Sequence, residues 1–247
     1  MKKTNYSYVG IALVILVFGI IFVPRIIDRI TNKDVTREES RSRKVSTEIT
    51  DDTVLSFLEI NGKPKKVPAF SFTNQEGSVI TNSDYEGKVY LVEFFFTTCP
   101  TICPRMSNNL VQIQKNFDGI ENFGVASFSI NPKNDTPEVL KAYAQKYGIT
   151  NPSWHLMTGD EALIYKLANE GFNLYTAKDD SAEGGFEHSG NFALIDKNGF
   201  IRSRLDAHGN PMIFYNGIIS EEEQYDEDGM KEEISLIKED IAKLLEE

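Results

Sequence analysis

Cysteine is nearly absent from this chain: 247 residues contain two, Cys99 and Cys103. With 40% apolar and 26% charged residues, the chain can bury a core without covalent staples. That excludes a small scaffold held by disulfides and leaves the pair to be explained by chemistry or chance. Histidine is equally sparse, with His155, His188 and His208 the three in the chain. Positive charge is short as well. The formal net charge is −11, and residues 219–247 alone hold 12 acidic side chains against 3 lysines. A body of that sign is a poor nucleic-acid binder, because phosphate contacts need clustered Lys and Arg. No internal repeat is present, and no low-complexity tract beyond the charged tail.

Long hydrophobic runs are limited to one. Tyr8–Val23 is a stretch of 16 uncharged, largely apolar residues flanked by Lys2-Lys3 and Pro24-Arg25. A spanning helix needs roughly 20 residues, a length reached if Tyr6, Ser7 and the stem of Arg25 are included. No small-residue cleavage site follows, so residues 1–27 read as an uncleaved signal anchor, an N-terminal transmembrane helix. Residues 28–66 read as a polar linker with a short strand around Val54–Ile60, and residues 67–247 as the folded domain. Taken alone, the Lys/Arg count on the two sides of the anchor favours a cytoplasmic domain.

The apolar pattern of the domain is α/β. "KVYLVEFFF" is a continuous apolar run of strand length, as a strand buried on both faces requires. After the cysteines, Met106, Leu110, Ile113 and Phe117 fall on one face of a helix. "FGVASFSI" is a second strand. "TPEVLKAYAQKYG" follows as a helix, with Thr136 as N-cap, Pro137 at its first position and Gly148 ending it. "SWHLMT" is a third strand and "GDEALIYKLANEG" a further helix. "HSGNFALID" and "FIRSRLD" form a hairpin about Lys197-Asn198-Gly199. Ile234, Ile237, Ile241 and Leu244 make an amphipathic closing helix. This order predicts a central mixed sheet flanked by helices, a thioredoxin-like fold with the cysteines between a buried strand and the helix it feeds.

At a helix start, unsatisfied N–H groups and the helix dipole favour thiolate, which predicts a lowered pKa for the pair. Residues four apart there have β-carbons about 5–6 Å apart, whereas a disulfide wants about 3.5–4.5 Å. A disulfide needs backbone adjustment; a metal held between both sulfurs needs less, and two thiolates select Cu(I) or zinc. Redox pair and metal clamp both stay open on spacing alone. Among the histidines, His155 lies inside a strand and reads as a packed or edge residue, while His208 reads as a solvated turn residue. His188 ends the Gly-rich "SAEGGFEH" and opens the strand "SGNFALID", at a sheet end where it is either structural or a third ligand.

"FFFTTCPTICPRM", "SFSINPKNDTPEVLKAYAQKYG", "WHLMTGD" and "EHSGNFALIDKNGFIR", with His188 85 residues beyond Cys103, together resemble the Sco/SenC family. That family consists of membrane-anchored, copper-binding, thioredoxin-like proteins that assist assembly of the copper centre of cytochrome c oxidase. The resemblance spans about residues 67–215. It implies that Cys99, Cys103 and His188 bind copper, as Cu(I) and with an added ligand as Cu(II). It further implies that the partner is the copper-binding subunit of the oxidase, and that the domain sits on the extracytoplasmic, periplasmic side of the plasma (inner) membrane, against the Lys/Arg count. Thr101 stands where the family usually has an acid between the cysteines, and Asn131 replaces a common Asp; neither is a ligand position. Phe94–Phe96, Phe186 and Met106 either shield the site or pack the core.

The main alternative is a dedicated thiol-disulfide reductase acting on the oxidase subunit's cysteines, with Cys99 and Cys103 as redox pair. General reductases of this fold set a cis proline beside the pair at a late strand, and no proline occurs between Pro152 and Pro211. A peroxidase reading fails because Val92 and Phe96 stand where that active site needs Pro and Thr. An inert buried pair is the bland alternative.

Overall fold

The computed structural model describes residues 16–18, 55–178, 186–205 and 210–247, with the backbone alone for Glu187 and His188. Of the expected anchor, residues 16–18 are helical and exposed. Its remainder, the linker through residue 54 and His208 lie outside the described residues. Among the described residues no helix is long and apolar enough to cross a membrane. The chain divides into two compact units, Met1–Glu48 and Ile49–Glu247, and the strands and helices named below all lie in the second.

In chain order the first strands are β1 (Ser56–Phe57), β2 (Glu59–Ile60), β3 (Lys63–Pro64), β4 (Ser71–Asn74) and β5 (Val79–Thr81). β6 (Val89–Phe95), helix α1 (Ile102–Asn116), β7 (Phe123–Ser129), helix α2 (Pro137–Tyr147) and β8 (Trp154–Thr158) form the centre. Helix α3 (Glu161–Lys166) continues into a π-helical turn, Leu167–Phe172. β9 (Thr176–Lys178), β10 (Phe186–His188), β11 (Asn191–Ile195), β12 (Ile201–Ser203), β13 (Tyr215–Asn216) and helix α4 (Ile234–Glu246) complete the chain.

The main sheet runs in the order β1-β12-β11-β6-β7-β8-β4-β5, with β13 beside β11. β6, β7 and β8 are parallel, and the strands flanking them are antiparallel, so the sheet is mixed as expected. Every residue of β6 and β7 is buried, which is why "VYLVEFF" reads as an unbroken apolar run and not an alternating one. On α1 the predicted stripe faces the core, with Met106, Leu110 and Ile113 fully buried and Phe117 nearly so. Helix α2 starts with the Thr136 side chain accepting from the Val139 N–H and ends at Gly148 in the left-handed region, φ 73°. At the β11–β12 turn the Asp196 side chain accepts from the N–H groups of Asn198 and Phe200 at 3.0 and 2.9 Å. Helix α1 packs beside both α2 and α4.

Two segments differ from expectation. Residues 55–66 are part of the fold: β1 pairs with β12, Leu55 and Leu58 are buried, and β2 and β3 turn tightly through Asn61-Gly62. Here an Asn-Gly turn signal sits inside a stretch whose polarity suggested a tether. His188, in turn, does not open the long strand. It ends β10, which among the described residues pairs with β9 alone in a separate two-stranded ribbon, and β11 starts three residues later. The break falls at Gly190, whose carbonyl accepts from Gly217 N at 2.8 Å. A Cβ at Gly190 would lie 2.1 Å from Ile218 Cδ1, so any larger residue there has to displace the Ile218 side chain.

Candidate metal centre

β6 and β7 end side by side, and the loops that leave them meet above the sheet. The loop from β6 makes a turn in which Cys99 N donates to Phe96 O at 3.2 Å, and it enters α1 at Ile102. Cys99 precedes the helix and Cys103 is its second residue. Both are thiols. Cys103 N donates toward Cys99 Sγ at 3.5 Å, and Thr101 Oγ1 lies 3.8 Å from the same sulfur. The helix N-terminus thus points a backbone donor at Cys99, as the sequence predicts.

The predicted fall in thiol pKa does not hold for Cys103. Its side chain is 1% exposed, and burial pushes the thiol far above its ordinary value; the neighbouring Cys99 adds to the rise. Desolvation outweighs the helix dipole, because the dipole is worth about 0.3–1 kcal/mol whereas burying a thiolate in an apolar site costs several.

The aromatic residues divide into two groups. Phe94 stacks on Phe128 and touches Phe172, and Phe95 packs on Tyr143, so both are core. Phe96 instead meets Phe186 of β10 at 5.0 Å between ring centroids, tying the cysteine loop to the strand that carries His188. Met106 is fully buried under α1. The backbone of His188 pairs with Thr176. Two residues before it, Phe186 touches Phe96. Two residues after it, a Cβ built on Gly190 would come 3.7 Å from Ile102 Cδ1, next to Cys103. His155, half-buried in β8, meets Asn74 Nδ2 through Nδ1 at 3.2 Å and the Tyr85 ring edge-on. It is a packed residue, as expected. Among the described side chains, no group of three or more His, Cys, Asp or Glu stands together. A cleft of about 640 Å3 lined by Phe70, Phe72, Leu163 and Leu167 includes neither cysteine.

Two carboxyls near the pair escaped the sequence reading. Glu93, 2% exposed in β6, accepts from Ser127 Oγ at 2.7 Å through Oε1, while Oε2 has no hydrogen-bond partner among the described residues. Burial pushes it up to about 7, with the Ser127 hydroxyl opposing. Asp135 is fully buried at the start of α2 and accepts from Thr97, Ser129 and Asn134. The only hint of the first was an acid inside "VEFFF". The second gave none, since Asp before Thr-Pro reads as ordinary helix-start chemistry.

The family model described as SCO1/SenC matches residues 59–221. The chain belongs to the SCO1/SenC family. The relatives agree in extent. "SCO1 protein homolog" of Bacillus subtilis is 33% identical over 159 residues, 63% of this chain and 80% of that protein. A SCO1/SenC family lipoprotein from Bacillus anthracis superposes with a TM-score of 0.58 at 31% identity, covering 73% of this chain and 95% of that one. BsSco, described as having a disulfide switch and as a member of the Sco family of cytochrome c oxidase assembly proteins, gives 0.57 at 27%, covering 73% and 94%. Copper-bound Arabidopsis thaliana ScoI shares the fold, with a TM-score of 0.52 at 20% identity over 73% of this chain and 99% of that one. The SCO1/SenC match stops at residue 221, so most of the acidic tail and all of α4 lie beyond it.

Proposed function

We propose that this chain is a membrane-anchored copper chaperone that binds one copper ion through Cys99, Cys103 and His188 and delivers it to the copper-binding subunit of cytochrome c oxidase. The observation that carries the reading is the convergence at the head of α1. Two cysteines share one turn there, and the backbone of His188 is held between two residues, Phe186 and Gly190, that both border that turn. Two thiolates and an imidazole form a soft, three-donor set, which suits Cu(I) in trigonal geometry; Cu(II) takes an added ligand. Copper is the cargo, so the site must both grip and release it, and a rim built from a loop and a two-stranded ribbon can do both. Residues 1–27 anchor the chain, and the folded unit lies on the extracytoplasmic side.

A second reading keeps the same cysteines for reduction of a disulfide between the recipient's cysteines, with Cys99 and Cys103 oxidised to a disulfide in exchange. It is favoured by the 3.5 Å approach of Cys103 N to Cys99 Sγ, which leaves a disulfide within reach of modest backbone adjustment. Loading and redox state are linked, because a disulfide supplies no thiolate.

The test is competitive Cu(I) titration of the reduced full chain in detergent beside Cys99→Ala, Cys103→Ala and His188→Ala. Each substitution is expected to lower affinity by at least about tenfold, in line with losing a ligand or its support. Undiminished affinity in all three removes the reading. Mixing the loaded chain with the oxidase subunit, and counting metal and thiols on both, separates delivery from reduction.

A further inference from the structure

Asp135 is a buried carboxylate whose described partners are all neutral. Oδ2 accepts from the Thr97 N–H at 3.0 Å and from Ser129 Oγ at 2.5 Å; Oδ1 accepts from Thr97 Oγ1 at 2.5 Å and from Asn134 Nδ2 at 2.8 Å. Two bonds at each oxygen fill the accepting capacity of a carboxylate. Bonds to an ionised acceptor are the strong ones, and the start of α2, one residue beyond the Thr136 N-cap, adds a favourable dipole. The four donors satisfy both oxygens without a cation among the described residues.

What it holds is specific. Ser129 ends β7 opposite Phe95, the last residue of β6, so one oxygen grips the sheet end. Thr97 is gripped twice, by backbone and hydroxyl, and it lies between Phe96, which touches β10 through Phe186, and the Cys99 turn.

We propose that Asp135 is a positioning residue for the thiol pair, fixing Thr97 so that the Cys99 loop keeps the sulfurs in an open dithiol arrangement. This deepens the function proposed above and rests on that reading for its copper arm only. With the clamp released, the loop can make the backbone adjustment that a Cys99–Cys103 disulfide requires. Copper affinity then falls, and the pair is more readily oxidised.

Two variants test it. In Asp135→Asn the best orientation keeps the carbonyl on the fixed Thr97 N–H and turns the amide donor toward Thr97 Oγ1 and Asn134 Nδ2, so one donor faces another. Thr97→Val keeps the backbone bond and the side chain's shape and deletes the hydroxyl's bond to Asp135 together with the longer one it accepts from Asn134 Nδ2 at 3.3 Å, so it is the milder change if the first fails to fold. The full chain in detergent is equilibrated with glutathione, where oxidised glutathione takes two electrons and two protons from the dithiol and leaves as two reduced thiols. Cu(I) affinity and urea unfolding are measured in parallel. The expected result is a shift of the thiol-disulfide equilibrium toward the disulfide by threefold or more, with about a 10–100-fold loss of copper affinity. If folded variants lose unfolding stability while the glutathione equilibrium stays within error of wild type, the clamp is purely structural and the proposal is overturned. If the equilibrium shifts while wild type itself binds no copper, the positioning role stands and the copper reading falls.

Discussion

Replacing Glu93 with Gln tests the energetic account of the sheet beneath the cysteines. In the folded chain the carboxyl is raised from an ordinary value of 4.5 to about 7, chiefly by burial. The unfolded chain releases this proton near pH 4.5, whereas the folded chain holds it until about pH 7. Over that interval the native state binds more protons, so this group's contribution to stability declines as pH rises, and the loss is complete above about pH 7. The full displacement is worth about 3 kcal/mol. Glutamine is a close stand-in for the protonated acid. Its carbonyl can accept the Ser127 Oγ bond now made to Oε1, and its amide replaces Oε2, which has no hydrogen-bond partner among the described residues. The titratable groups that feel Glu93 are Cys103 and Tyr143, both pushed up in part by its charge, so they do not ionise in this window. The assay is urea unfolding of reduced, metal-free wild type and Glu93→Gln at intervals from pH 4 to 8, read as the difference between the two. That difference should be within about 1 kcal/mol at the acid end and grow to about 3 kcal/mol in favour of the variant at pH 8. A difference that does not change with pH, or a variant less stable at pH 8, would refute the reasoning.

Two further substitutions probe the segments around the site. Gly217→Ala would set a Cβ 2.4 to 2.8 Å from three ring atoms of the buried Phe192, and overpacking of that kind should cost about 1–3 kcal/mol in chemical denaturation. Arg105→Ala removes both bonds to Glu223 at 2.7 Å; the pair is about half-exposed, so the loss should stay below about 1 kcal/mol and shrink in high salt.

The elements legible in the sequence are those in which local chemistry and burial agree. Val89–Phe95 is a strand because both faces are covered, and Pro137–Tyr147 is a helix with its cap, first proline and final glycine all where the pattern requires. The cysteine pair was legible for the same reason, since a buried strand followed by an amphipathic stripe leaves one place for the loop. What escaped depends on contacts between distant segments. The β9–β10 ribbon is three residues on each side, and it gives way to β11 near Gly190, which packs under the side chain of Ile218, 28 positions beyond. Residues 55–66 are polar on average, yet Leu55 and Leu58 find the core. Position at a helix start predicted an acidic thiol at Cys103; how deeply the sheet and helix enclose that sulfur is a property of the packed fold, and it reverses the sign. Asp135 shows its role only when Thr97, 38 residues earlier, is seen across the loop.

The most direct measurement is copper K-edge X-ray absorption of the reduced full chain loaded with one equivalent of Cu(I), beside His188→Ala. The account predicts a coordination shell of two sulfur scatterers and one imidazole nitrogen, with the nitrogen lost and both sulfurs kept in the variant. An identical shell in the two proteins, or a wild-type shell with fewer than two sulfurs, would contradict it.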